Sequence, residues 1–321
     1  MVIGMYDVVA LGELLIDFTQ NRISNQGNIL FEANPGGAPC NVLAMLQKLG
    51  KQTAFIGKVG NDQFGKLLKE KVRAIGVDTE SLYLDKEVPT TLAFVHTAAD
   101  GDRDFSFYRK PGADMMLREE EIPEDLCKNT RIFHYGTLSM TSEGVREATK
   151  KAIAFAKEGG ALLSFDPNLR EPLWDSLKEA KEQILYGLMQ CNVLKISEEE
   201  LEFVTGIRDY DEGVKALLQI ADINLIVVTM GKAGSRAYYS GQVVEEKGFV
   251  MENTIETTGA GDTFGANIIN YVLEHGIDGL TEVQLHEMLR YANAAAAIIT
   301  TRRGALSVMP EREEIERLLL K

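Results

Sequence analysis

Cysteine is scarce in this chain. Cys40, Cys127 and Cys191 are the only three, too few and too scattered for a disulfide framework or a zinc site. No apolar stretch is long enough to span a bilayer. Met1 to Ala10 has no basic region ahead of its apolar run, and Leu11 to Phe18 carries Glu13 and Asp17, so the start does not read as a signal peptide. A reducing cytoplasm is the expected location. Basic charge is also short: 34 Lys and Arg stand against 48 Asp and Glu, a net charge of −14. That balance argues against a nucleic-acid partner, whose binding rests on phosphate neutralisation. It leaves room for one phosphorylated small molecule, because local dipoles and a few cations suffice for a single site. Repeats, low-complexity tracts and clear linkers are absent too. With 45% hydrophobic and 26% charged residues, a single large α/β domain over 1–321 is expected.

What is present is alternation. Strands are expected at Val8–Leu11, Ala54–Gly57, Ile132–Tyr135, Leu162–Phe165, Val193–Ile196 and Leu225–Thr229. Helical periodicity falls on Asn41–Leu49 and on roughly 64–75, 143–158, 176–190, 198–205, 211–221, 281–298 and 310–320. Such alternation implies a parallel sheet covered on both faces, with ligands beyond the carboxyl ends of its strands. Two stretches interrupt it. Thr19 to Asn34 is polar and aperiodic, and Thr91 to Arg109 reads as two strands about Asp100-Gly101. Both are expected in a small β lid on the larger domain.

The most informative segment is Glu256-Thr257-Thr258-Gly259-Ala260-Gly261-Asp262-Thr263-Phe264. Phe264, Ile268 and Val272 recur at helical spacing, as do Ile269 and Leu273, and Gly276 ends the run. Gly259, Ala260 and Gly261 therefore leave backbone N–H groups bare at the positive end of a helix, where phosphate binds. Asp262 sets a carboxylate beside that anion site, the pairing that phosphoryl transfer to an alcohol requires. The spacing Gly259-x-Gly261-x3-Gly265 also approaches a dinucleotide fingerprint, but a helix rather than a strand follows. Gly60 to Lys66 follows a P-loop only as far as Leu67, where a hydroxyl should meet magnesium, so it reads as a turn and helix start.

Other motifs allow two readings each. Gly36-Gly37-Ala38-Pro39-Cys40-Asn41 offers backbone approach and an amide to a ligand, or a tight turn with Asn41 as helix cap. Asp17 suits sugar hydroxyls, or solvent. Asp166-Pro167-Asn168-Leu169-Arg170 leaves a buried strand with a carboxylate, an amide and a guanidinium at the functional edge. Ser197-x-x-Glu200 is a capping box whatever else it does. Thr229-Met230-Gly231-Lys232-Ala233-Gly234 follows a strand and suits nucleotide phosphates, or a turn into Ser235–Tyr239.

Together and in this order, these motifs resemble the ribokinase-like carbohydrate kinases over nearly the full length. The anchors are Gly36-Gly37-x3-Asn41, Gly57-x-x-Gly60-x-Asp62-x2-Gly65 and Thr257-Thr258-Gly259-Ala260-Gly261-Asp262. The resemblance implies a three-layer fold, a mainly parallel sheet between helices, with lid segments at about 14–36 and 88–112. It implies Asp262 as catalytic base and Gly259, Ala260 and Gly261 as anion hole. An ordinary aspartate, with a pKa of about 4, is a weak base at neutral pH and would act chiefly by orientation. The implied sugar contacts are Asp17, Gly36, Gly37, Asn41, Arg103, Phe107, Arg109, Asp166 and Arg170. Lys195, Ser197, Thr229, Gly231, Lys232 and Gly234 would border ATP, with Asn293 toward adenine. Glu200 would order magnesium through water, and Glu256, Thr258, Ile299, Arg302 and Gly304 would form a monovalent-cation loop, for potassium.

Two positions depart from the commonest family pattern: Ser197 stands for an asparagine and Glu256 for an aspartate. Within the family, Asp102 to Asp114, Asp166 to Arg170 with Trp174, and Lys195 to Leu201 are similar to fructokinases, implying D-fructose converted to fructose 6-phosphate. A 2-keto-3-deoxygluconate kinase is the nearest rival. Arg109 and Arg170 suit its acid substrate, whereas Ala93 and Phe107 stand where those enzymes tend to have tyrosine. A non-catalytic sugar or nucleotide sensor on the same scaffold is a further alternative. Open lid edges suggest a homodimer through the lid.

Overall fold

The computed structural model describes residues 5–97 and 103–320. Its strands are β1 (Tyr6–Leu11), β2 (Leu15–Ile23), β3 (Ile29–Gly36), β4 (Thr53–Gly60), β5 (Leu82–Asp85), β6 (Leu92–Thr97), β7 (Arg103–Tyr108), β8 (Thr130–Tyr135), β9 (Leu162–Phe165), β10 (Val193–Ser197), β11 (Leu225–Thr229), β12 (Gly234–Tyr239) and β13 (Gln242–Lys247). Its helices are α1 (Ala38–Lys48), α2 (Gln63–Ala74), α3 (Glu124–Lys128), α4 (Glu143–Glu158), α5 (Leu177–Leu188), α6 (Glu198–Thr205), α7 (Tyr210–Ile220), α8 (Ala260–His275), α9 (Glu282–Ile299) and α10 (Arg312–Leu319).

Nine strands form one sheet in the order β13-β12-β11-β10-β9-β8-β1-β4-β5. All neighbours from β11 to β5 run parallel, and only β12 and β13 are antiparallel. Alternation along each strand sends side chains to opposite faces. Val8, Ala10 and Phe55 meet Met45 of α1, Ile268 of α8 and Leu289 of α9 in one core. Val9, Leu11 and Ile56 join the core that includes Ala152 of α4, Ile184 of α5 and Leu217 of α7. This is the three-layer arrangement expected. Both faces are covered, so the central strands are mostly apolar; β4 is buried at every position, with its Lys58 paired to Glu121 at 2.7 Å. Two strands fall outside the expected set. Leu82–Asp85 is a short edge strand, and Gln242–Lys247 is a charged edge strand, and neither carries an apolar run.

The interrupting stretches form a second sheet, in the order β3-β2-β6-β7. It is held by aromatic contacts: Phe18 stacks on Phe94 with centroids 4.8 Å apart, and Phe94 meets Phe31 and Tyr108 edge-on. Phe18 also touches Phe64 of α2, tying the small sheet to the large body. The turn expected at Asp100-Gly101 lies outside the described residues. Among the described residues, no helix is long and apolar enough to cross a membrane.

One local expectation holds and one changes. The segment 60–66 is a helix start, as expected: Asp62 caps α2 by accepting the Gly65 N–H at 2.8 Å. Asn41 is not a cap. Its helix begins three residues earlier, with Gly37 as N-cap and Pro39 in the first turn, where a missing N–H costs nothing. Asn41 is thereby freed to point elsewhere.

Candidate active site

The carboxyl ends of the parallel strands, the start of α8 and the inner side of the small sheet enclose a cavity of about 620 Å³. Its phosphate-like end is the N-terminus of α8. Gly259 is the N-cap, with φ of 76°, and a Cβ there would lie 2.7 Å from the Ala305 Cβ. Glycine is thus required by both conformation and space. The preceding loop is tied down by two N–H groups, of Ile255 and Glu256, donating to the Thr300 carbonyl at 2.8 and 3.1 Å. The buried Glu256 carboxylate accepts the Gly304 N–H at 2.8 Å.

Asp262, in the first turn of α8, accepts a hydrogen bond from the Asn41 side-chain amide at 2.7 Å. Burial lifts its pKa to about 6; the Asn41 bond opposes the rise, Asp166 adds to it, and Lys195 and Arg170 oppose it. It is therefore a better proton acceptor than an ordinary aspartate. The Asn41 carbonyl oxygen is buried and without a protein partner. Beside the start of α8, Lys195 in β10 pairs with Asp166 at 3.0 Å. Burial acts against the Lys195 charge, but Asp166 and Glu200 outweigh it, so its pKa lies above the usual lysine value. The Lys195 Nζ lies 3.2 Å from the position a Cβ at Gly261 would take. An ammonium therefore fills the space beside the bare N–H groups.

On the small-sheet side Asp17, on β2, lines the cavity. Its pKa is pushed to about 7 by burial, with Arg170 opposing and Glu256 and Asp262 reinforcing. A Cβ at Gly36 would collide with the Asp17 carboxylate, and one at Gly37, whose φ is 134°, would collide with the Glu13 carbonyl. Asn168 and Arg170 enter from the loop after β9, where Asn168 takes a φ of 48°. Thr137 holds that loop by donating to the Pro167 carbonyl from its N–H at 3.2 Å and its hydroxyl at 2.6 Å. The single tryptophan, Trp174, follows directly, buried, its indole N–H without a protein acceptor.

Of the expected sugar contacts, Asp17, Gly37, Asn41, Phe107 and Arg170 line this cavity. Gly36 sits at its edge against Asp17, and Asp166 lies behind Lys195. The Arg103 side chain lies outside the described residues. Arg109 is elsewhere. It is buried, with Nε on Asp114 at 2.7 Å, Nη1 on Thr141 at 2.8 Å and Nη2 on the Leu138 carbonyl at 2.9 Å. It borders a different cavity, of about 830 Å³, and not the one beside Asp262.

Of the expected nucleotide contacts, Lys195, Ser197, Thr229 and Gly231 line the cavity. Lys232 and Gly234 are in the adjoining turn, outside the lining. Asn293 is buried away from it, its Oδ1 accepting from Ser235 at 3.1 Å and its Nδ2 donating to the Glu246 and Lys247 carbonyls. Glu200 lines the cavity while accepting from the Leu169 and Ser197 N–H groups at 2.7 and 2.9 Å. Each oxygen keeps a second lone pair, so the carboxylate can still accept from a water on a magnesium ion. Among the described residues no group of three or more acidic, His or Cys side chains is arranged to hold a metal. Near Glu256, the Thr258 and Gly304 residues line the cavity, the Ile299 carbonyl accepts the Arg302 N–H, and the Arg302 guanidinium binds the Val308 carbonyl and Glu314.

One buried acid in the lining escaped the sequence reading. Glu13, immediately after β1, registers there only as a charge interrupting an apolar run. Its partner is a backbone N–H 25 positions away, and no local pattern signals such a bond.

The sequence profile of the pfkB family carbohydrate kinases matches residues 5–312. The chain is 41% identical to fructokinase-1 of Zea mays over 326 residues, covering 100% of each chain. Its fold is similar to the fructokinase of Xylella fastidiosa solved with bound ATP, with a TM-score of 0.89, 30% identity and 98% of both chains covered. It is likewise similar to a Vibrio cholerae fructokinase solved with fructose, ADP and calcium, with a TM-score of 0.87, 30% identity and 98% and 99% coverage. A double mutant of that enzyme was solved with fructose, ADP and potassium.

Proposed function

This chain belongs to the pfkB family of carbohydrate kinases, and from that premise we propose that it transfers the γ-phosphoryl group of ATP to D-fructose, giving fructose 6-phosphate. The observation that carries this reading is the placing of Asp262. Its carboxylate, with a raised pKa, is held by Asn41 at a helix N-terminus inside a cavity that also presents Asp17 and Arg170. Asp262 accepts the proton of the sugar hydroxyl as that oxygen attacks. The N–H groups of 259–261 and the α8 dipole stabilise the charge that develops on the transferred group. Lys195 adds a positive charge at the same end. Magnesium bound with ATP would neutralise its phosphates, with Glu200 as the residue that positions it through water. Asp17, Gly37 and Asn41 hold the sugar hydroxyls. Glu256 with the 299–304 segment supports a monovalent-cation site. The small sheet is the lid, keeping water from the reacting phosphate. Its edge strands β3 and β7 and its exposed Ile23, Ile29 and Tyr108 support a homodimer through that sheet. Three free, buried cysteines suit a reducing cytoplasm.

Fructose is favoured over an acid sugar because only one of two candidate cations is available. Arg170 faces the cavity, but Arg109 is consumed by Asp114 and its neighbours. Phe107 offers the cavity no hydroxyl. A coupled assay with equal concentrations of fructose, ribose, adenosine and 2-keto-3-deoxygluconate should find fructose turned over fastest. Faster turnover of any competitor overturns the substrate, and binding without transfer to any of them leaves a sensor.

A further inference from the structure

We propose that Glu13 is a positioning residue that sets the sugar-binding turn and the catalytic base together, through the first turn of α1. Glu13 is 4% exposed, lines the cavity and accepts the Ala38 N–H at 2.8 Å. Ala38 opens α1, so the carboxylate meets a bare donor at the positive end of that helix. The main chain there grips the same turn. The Glu13 carbonyl lies against the α-carbon of Gly37, leaving no room for a side chain, and a Cβ at Gly12 would lie 2.5 Å from the Pro39 ring. Residues 12 and 13 thus form a cradle for 37–39: the Glu13 carbonyl on Gly37, Gly12 on Pro39, and the Glu13 carboxylate on the first helical N–H. One turn further along the same helix, Asn41 binds Asp262 at 2.7 Å. Any shift of the 37–39 turn therefore moves both the backbone proposed to meet the sugar and the amide that orients the base. An aspartate at 13 is too short to reach Ala38 from this backbone position, and a glutamine retains an acceptor of the right length. The Ala38 bond accounts for one Glu13 oxygen, Oε1.

The role rests on the kinase reading, and its test is chosen to separate the two. Glu13→Ala, Glu13→Gln, Asn41→Ala and the Glu13→Ala/Asn41→Ala double variant are compared with the full chain. Glu13→Ala should lower kcat/KM for fructose by about 10- to 100-fold and leave KM for ATP within about twofold. Glu13→Gln should recover most of the loss. The double variant should be no more than about twofold worse than Asn41→Ala, because both act through one turn. Additive losses, an equal rise in KM for ATP, or a glutamine variant no better than alanine would overturn the proposal. A readout independent of turnover is hydrogen exchange of a peptide spanning 36–41. It should accelerate in Glu13→Ala and not in Glu13→Gln; equal protection in both overturns the role even if the wild-type chain proves inactive on fructose. Failure of the wild type on fructose with the exchange difference present overturns only the substrate.

Discussion

The two ends of the cavity are built on different terms. One, proposed to meet the phosphates, is the terminus of a 16-residue helix whose cap, loop and cation are all held by neighbours: Gly259 by Ala305, Glu256 by Gly304, and Lys195 by Asp166. The other, proposed to meet the sugar, is a four-stranded sheet with edges open among the described residues, aromatic rings on one face and exposed apolar residues at its margins. The first is held by buried polar bonds, and the second by packed rings. An enzyme that must aim at a charge developing in the transition state needs the former, and one that must admit and then cover a sugar needs the latter. Asn41 connects the two, reaching Asp262 from α1, the helix that follows β3 of the small sheet.

Four experiments bear on this contrast. Asp262→Ala should lower kcat about 10³-fold with nucleotide affinity retained, measured by steady-state kinetics and calorimetry; near-normal turnover removes Asp262 from the chemistry. Arg109→Met should be felt in stability and not at the sugar. Breaking its buried pair with Asp114 is expected to cost about 3–5 kcal/mol in denaturant unfolding, while KM for fructose in the surviving folded protein stays near wild type. A selective rise in KM would return Arg109 to the sugar site. The third is a pH profile. The Asp262 pKa is raised to about 6, so the basic form is present above that value and is lost as pH falls through it. Turnover at saturating fructose should drop about tenfold from pH 7 to pH 5. The loss of kcat/KM for fructose should be larger, because Asp17, raised to about 7, protonates over the same range. A flat profile would mean that proton removal does not limit the rate. Smallest of all, fructose should slow hydrogen exchange in 19–34 a few-fold, while the start of α8 changes little. The reverse pattern would invert the assignment of mobile and fixed ends.

The end proposed to meet the phosphates was legible in the sequence because its signals are local. Glycines stand just ahead of a helical repeat, and Asp262 sits one turn in. The parallel sheet was legible because buried strands are mostly apolar runs. What sequence pattern could not convey were long-range commitments. Arg109 reads as a free cation until Asp114, Thr141 and Leu138 are seen to use its donors. Asn293 reads as available until β12 and β13 are seen to hold it. Asn41 looks like a helix cap because Pro39 disguises where α1 begins. Glu13 is the opposite case, a residue passed over because its partner is a backbone N–H far along the chain.

The loop that carries Asn168 and Arg170 into the cavity runs straight into Trp174, the chain's only indole. That ring is buried and its N–H has no acceptor within the protein, so its emission is set by packing and is not split among several emitters. The molecule therefore carries a built-in optical reporter four residues from Arg170, which lines the cavity. Ligand titrations and stopped-flow records of loop movement can be taken on the unlabelled, unmutated chain.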